Sequence, residues 1–90
     1  MTITTVGVIG LGTMGAGIAE VVARNGYRVI AAEATEEAVD GGRSKIEGST
    51  SRAIKRGKLT AQDQAALIER ITFTSDLADL AVADLVIEAV

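Results

Sequence analysis

Residues 6 to 20 read Val6-Gly7-Val8-Ile9-Gly10-Leu11-Gly12-Thr13-Met14-Gly15-Ala16-Gly17-Ile18-Ala19-Glu20, and five of the ten glycines of the chain fall in this stretch. The apolar run from Val6 to Ile9 meets G-x-G-x-x-G at Gly10, Gly12 and Gly15, and an alanine- and valine-rich segment follows that can only be helix. A strand, a tight turn and a helix N-terminus are therefore expected in immediate succession. Each glycine has a physical task in that reading. Gly10 allows the turn, Gly12 leaves room for a pyrophosphate beside the main chain, and Gly15 lets the helix close on the strand. The free N–H groups and positive dipole end of the helix would hold the phosphates.

The chain continues in the alternating manner this start requires. Thr5 to Ile9 is the first strand, and the helix after the turn runs from about Met14 to Asn25. Met14, Ile18, Val21 and Val22 form an apolar stripe expected to face the sheet. Gly26 is the expected left-handed stop. Arg28 to Glu33 is a second strand, and its Val29-Ile30-Ala31-Ala32 run is apolar enough to be covered on both faces.

Glu33 ends that strand 23 positions after Gly10, close to the ~20-residue spacing at which an acid receives the ribose hydroxyls of a dinucleotide. No arginine follows it to take a 2'-phosphate, and Glu36 and Glu37 add negative charge. The expected cofactor is NAD rather than NADP.

Composition narrows the chemistry further. The 90 residues contain no cysteine and no histidine, so disulfides, thiolate or imidazole metal sites and histidine catalysis are excluded within this chain. Tyr27 and Phe73 are the two aromatic residues, so the core must be built from Val, Ile, Leu, Ala and backbone. A chain of this length makes one small domain, burying roughly 60 to 70% of its unfolded surface. No apolar run approaches the ~20 residues of a membrane span, and no signal-peptide pattern opens the chain. The expected compartment is the cytoplasm.

From Thr35 a long polar helix is expected, with a thin apolar seam of Ala38, Val39, Gly42, Ile46, Ala53 and Ile54, standing away from the sheet. Six of the nine basic residues lie on it or just beyond (Arg43, Lys45, Arg52, Lys55, Arg56, Lys58), opposed in that span only by Glu47, in a chain of net charge −3. Gly57 ends this helix, the basic arm runs from Arg43 to Lys58, and Thr60 with Asp63 forms a capping-box pattern for a helix from Ala61 to about Arg70. DNA binding is not implied, because the balance is acidic and no recognition helix is evident. Ile71 to Thr74 is a third strand, Ser75 and Asp76 can both cap a short helix from Leu77 to Ala81, and Leu85 to Val90 is a fourth strand, expected to be buried. The fold class is α/β, the N-terminal half of a Rossmann-type doubly wound parallel sheet. Its expected strand order is 3-2-1-4, with a helix-turn-helix arm between strands two and three and the cofactor crevice between strands one and four.

Four features together resemble the N-terminal NAD-binding domain of the 3-hydroxyacyl-CoA dehydrogenases, and bacterial 3-hydroxybutyryl-CoA dehydrogenases in particular. They are Gly10 to Ala19, the acid at Glu33, the arm ending Arg56-Gly57-Lys58-Leu59-Thr60, and Asp84-Leu85-Val86-Ile87-Glu88-Ala89-Val90. Members usually carry aspartate where Glu33 stands, and a longer acid still reaches a ribose. The likeness spans the chain from about Val6 but only the first third of the family's length, so residues 1–90 would be one truncated domain. The resemblance implies hydride transfer between NAD and C3 of an L-3-hydroxyacyl-CoA in fatty-acid and hydroxybutyryl-CoA metabolism, by a protein that is a homo-oligomer at full length.

By the same resemblance Gly10, Leu11, Gly12, Thr13, Met14 and Gly15 would hold the pyrophosphate and Glu33 the ribose. Ser49 and Arg56 would meet the phosphorylated adenosine end of CoA. The family's catalytic serine, histidine, glutamate and asparagine have no counterparts among these residues, so no catalytic residue and no metal ligand is assigned. Other readings remain open at this point. A 3-hydroxyisobutyrate or 6-phosphogluconate type dehydrogenase also opens Gly-Leu-Gly-x-Met-Gly but generally lacks the basic arm, and a non-catalytic NAD-binding module or a purely structural platform would need no further chain.

Overall fold

The computed structural model describes residues 2–90. Four parallel strands, β1 (Thr5–Ile9), β2 (Arg28–Ala32), β3 (Ile71–Thr74) and β4 (Leu85–Glu88), form one sheet in the order β3-β2-β1-β4. Helix α1 (Thr13–Arg24) links β1 to β2, while α2 (Glu36–Lys55) and α3 (Ala61–Glu69) link β2 to β3. A 3-10 helix over Leu77–Val82 crosses from β3 to β4. The expected order and parallel pairing are what the structure has. The register sets Val6 beside Val29 and Leu85, and Ile9 beside Ala32 and Glu88.

The core is aliphatic and close-packed. Val6, Val8, Val29 and Ala31 from the sheet meet Ala16, Ala19 and Ala23 of α1, with Ile46, Leu67 and Ile71 closing one side. The buried face of α1 consists of Gly15, Ala16, Ala19, Glu20 and Ala23. This corrects the expected stripe: Met14 and Val21 are 69% and 58% exposed, and Ile18 and Val22 are only partly covered. The cause is distance. A Cβ at Gly15 would overlap the carbonyl oxygen of Gly10, so the helix begins almost in backbone contact with the turn, and its sheet-facing positions accept little beyond a methyl group.

Gly7 has a matching role on the other face of the sheet. A Cβ there would lie 2.6 Å from Leu80 Cδ2 and 3.3 Å from Val86 Cγ2, so its bare backbone is what lets the 3-10 helix cross β1. Asp76 caps that helix by accepting the Ala78 N–H, whereas the Ser75 hydroxyl donates to Glu36 Oε1 at 2.6 Å instead.

Two further expectations change. Helix α2 does not stand away from the rest of the domain, for Val39, Gly42, Ile46 and Thr50 are buried along it. Gly42 is the point of closest approach, where a Cβ would sit 2.5 Å from Leu11 Cβ. Strand β4 ends at Glu88, and its Leu85 and Val86 side chains are 45% and 44% exposed rather than buried. It is an edge strand with one neighbour, β1, among the described residues.

Candidate functional site

The C-terminal ends of β1, β2 and β4 converge on the glycine turn. The Gly10 N–H donates to Ala32 O at 2.9 Å and the Ala89 N–H to Ile9 O at 2.8 Å, so the turn is held between the strands on either side. Gly10 has φ +92, a backbone region that favours glycine, and a Cβ on it would come within 3.2 Å of the Ala89 backbone. This junction of β1 and β4 is the crevice where the crossover direction of the sheet reverses.

The start of α1 is the one helix start left uncapped among the described residues. Its N-cap is Gly12, no side chain accepts from its first turn, and no acid lies in that turn. The other helices are treated differently: Thr35 caps α2, Asp76 caps the 3-10 helix, and Thr60 with Asp63 completes a capping box on α3. Helix N-terminal N–H groups need an acceptor, and a start that the chain itself leaves unmet beside open space is suited to an anionic ligand. At Gly12 nothing lies within 4 Å of where a Cβ would be. The turn therefore fits the pyrophosphate of a dinucleotide.

Glu33, just past β2, reaches the same turn. Its Oε2 accepts the Leu11 N–H at 2.7 Å, and its Oε1 accepts the Ala34 N–H at 3.2 Å. A carboxylate has about four lone-pair directions, so two acceptor positions remain for ribose hydroxyls. Leu11 itself is buried at 1% exposure. Its side chain belongs to the core and to the Gly42 notch of α2 rather than to an open ligand surface. Thr13 and Met14, at the start of α1, are exposed.

A groove of about 380 Å³ runs between α1 and α2, lined by Thr13, Gly17 and Glu20 on one wall and Ser44, Lys45, Ser49 and Arg52 on the other. Ser49 thus faces the glycine-turn helix. Arg56 does not line the groove; it is the C-cap of α2 and is exposed. The cations in the groove are Lys45 and Arg52, which the sequence reading counted in the basic arm but did not single out. Their i, i+7 spacing on α2, bracketing Ser49, was the available signal. Arg43 is turned elsewhere, with its guanidinium 4.4 Å from the centre of the Phe73 ring. No group of three or more His, Cys, Asp or Glu side chains that could hold a metal occurs among the described residues. No helix there is long and apolar enough to cross a membrane.

Residues 5–90 match the family model of the 3-hydroxyacyl-CoA dehydrogenase NAD-binding domain. The chain is 47% identical over 88 residues to a 3-hydroxybutyryl-CoA dehydrogenase of Mycobacterium tuberculosis, covering 98% of this chain and 31% of that protein. It is 46% identical over 93 residues to the 3-hydroxyadipyl-CoA dehydrogenase of Escherichia coli, covering 99% of this chain and 19% of that one. Among solved structures, the (S)-3-hydroxybutyryl-CoA dehydrogenase of Ralstonia eutropha superposes with a TM-score of 0.95 at 41% identity, over 98% of this chain and 31% of that one. The chain spans about a third or less of the length of these relatives. Turn, acid, strand order and sequence agree, and the chain belongs to the NAD-binding domain family of the 3-hydroxyacyl-CoA dehydrogenases.

Proposed function

We propose that this chain is the cofactor-binding portion of a dehydrogenase that transfers a hydride between NAD and the 3-hydroxyl carbon of an L-3-hydroxyacyl-CoA. The observation that carries it is the uncapped α1 start beside Gly10, Gly12 and Gly15 with Glu33 at the end of β2, in a chain of this family. In this reading the main chain from Gly10 to Gly15 receives the pyrophosphate and Glu33 the adenosine ribose. The nicotinamide would be carried toward the β1–β4 crevice. When bound, NAD supplies the hydride acceptor. Removal of the hydroxyl proton needs a base of suitable pKa, and with no histidine here that base lies outside these residues.

The acyl-CoA is assigned to the α1–α2 groove and the arm beyond it. Ser49 lines the groove, Lys45 and Arg52 make its α2 wall cationic, and Arg56 extends that charge to the arm's tip. A guanidinium binds phosphate with two parallel hydrogen bonds, so Ser49 and Arg56 are proposed to meet the 3'-phosphate end of CoA. A cytoplasmic, homo-oligomeric enzyme completes the proposal.

The test is NADH oxidation with acetoacetyl-CoA by the complete reading frame that contains this domain, run beside the 90-residue chain alone. Activity with the thioester and none with free acetoacetate is expected of the former, and a flat trace of the latter. Equal turnover of thioester and free acid would sink the CoA assignment, and turnover by the chain alone would sink the placement of the base elsewhere.

A further inference from the structure

Gln64 of α3 reaches across to α2. Its Nε2 donates to Thr50 Oγ1 at 2.8 Å and to Ser51 Oγ at 3.1 Å, and stands 3.4 Å from the Glu47 carbonyl oxygen. These three acceptors bracket Ser49. Thr50 has no exposed surface, and its hydroxyl gives its own hydrogen to Ile46 O at 2.7 Å. Its oxygen is thereby left as an acceptor aimed at α3, which the Gln64 amide meets. The network is complete: no buried side-chain nitrogen or oxygen lacks a partner among the described residues.

Leu67 is the one fully buried residue of α3, and Ile68 packs partly buried against the same core. Apolar contacts are non-directional, whereas a donor between fixed acceptors specifies direction as well as distance. The connection from α2 to α3 carries Arg56, then Gly57 at φ +72, then Lys58, whose N–H donates to Ala53 O at 2.9 Å. Arg56 thus sits at the junction of the two helices that Gln64 ties together.

We propose that Gln64 is a positioning residue for substrate recognition, fixing the α2 segment and the α2–α3 turn that present Ser49 and Arg56 to the phosphorylated end of CoA. This rests on the CoA assignment made above for those two residues. The amide touches no ligand and acts through the geometry of others.

The experiment is calorimetric titration of this chain with CoA, with 3'-dephospho-CoA and with NAD, for the wild type and for Gln64→Leu, Thr50→Val, the double variant and Thr50→Ser. Losing the tie is expected to reduce the preference for CoA over its dephosphorylated form about 3- to 10-fold, as for one hydrogen bond. Gln64→Leu and Thr50→Val should show this alike, the double variant no more than either, and Thr50→Ser, which keeps the acceptor, should restore it, with NAD affinity unchanged throughout. A wild-type chain that binds both CoA forms equally, or neither, overturns the CoA assignment and this inference together. A wild type that prefers CoA, with variants that keep the preference or lose all three ligands in parallel, overturns the role of Gln64 alone. If Gln64→Leu does not fold, Thr50→Val against Thr50→Ser decides.

Discussion

The carboxylate of Glu33 accepts the backbone N–H of Leu11 at 2.7 Å, tying the end of β2 to the middle of the glycine turn. The acid proposed for the ribose is thus also part of the turn proposed for the pyrophosphate. Glu33→Ala is expected to weaken NAD binding by more than tenfold, since charge-assisted hydrogen bonds contribute about 1.5–3 kcal/mol. A carboxylate ~4 Å from a 2'-phosphate would cost up to about 4 kcal/mol at an effective dielectric of 20, so the wild type should strongly prefer NAD and the variant should not. Calorimetry with both cofactors checks this, and an unchanged NAD/NADP ratio in Glu33→Ala would remove the carboxylate from cofactor selection.

Gly12 and Gly15 should separate binding from folding. At Gly12 a methyl group meets nothing, and its backbone lies in an ordinary extended region, so Gly12→Ala should leave the melting temperature within a few degrees while weakening NAD. At Gly15 a methyl collides with the Gly10 carbonyl. Gly15→Ala should therefore destabilise the fold by at least the ~1–3 kcal/mol typical of overpacking. Thermal melts paired with NAD titration read both, and a stable Gly15→Ala would contradict the close seating of α1.

The notch at Gly42 gives a similar test for α2. Gly42→Ala places a methyl 2.5 Å from Leu11 Cβ, and an expected loss of about 1–3 kcal/mol in urea unfolding outweighs the ~1 kcal/mol gain in helix propensity. Gly41→Ala, one position earlier and open on its surface, should instead be neutral or stabilising. The reverse ranking would mean that α2 is not seated on Leu11.

Asp84 introduces a pH dependence. Its Oδ2 accepts from the Thr4 N–H at 2.9 Å, the Thr5 N–H at 3.0 Å and the Thr4 hydroxyl at 3.1 Å, stapling the start of β1 to the start of β4. Those donors, the Thr4 N–H first, favour the charged form and lower its pKa. The unfolded value is about 3.9, so the stabilisation is whole above that pH and is lost as pH falls through the lower folded value. Denaturation midpoints measured from pH 6 down to pH 2 should fall less steeply in Asp84→Asn than in the wild type. Parallel curves would show that the staple has no charge-dependent part.

The β4 edge carries Leu85 and Val86 at 45% and 44% exposure. Open strand edges with apolar side chains recruit other chains, so the isolated 90-residue chain is expected to self-associate as its concentration rises. Val86→Lys should shift it toward monomer in light scattering. A wild-type chain that stays monomeric throughout would show that this edge is not adhesive.

Much of the framework was legible because local rules act over a few residues. Gly10, Gly12 and Gly15 after an apolar run specify strand, turn and helix start. Gly26 and Gly57 stop helices at φ +93 and +72, and Thr60 with Asp63 forms the capping box their spacing implies. The strand order follows from the doubly wound pattern that such a glycine turn opens. Glu33 was legible as the acid at the end of β2 because its spacing from the turn is itself a local regularity.

Sequence by itself determined which segments become strands and helices, where the glycine turn lies, and that this chain carries no imidazole or thiolate chemistry. Only the tertiary structure decided which side of each helix is covered. Periodicity marks apolar residues but not the distance between elements. At the contact between Gly15 and the Gly10 carbonyl that distance is too short for large side chains, so α1 turns alanines inward and leaves Met14 and Val21 outside. For the same reason α2 seats Gly42 on Leu11, Glu33 reaches the Leu11 N–H, and Gln64 meets Thr50, pairs 31, 22 and 14 residues apart. Such contacts depend on how elements dock in space, which no local pattern encodes.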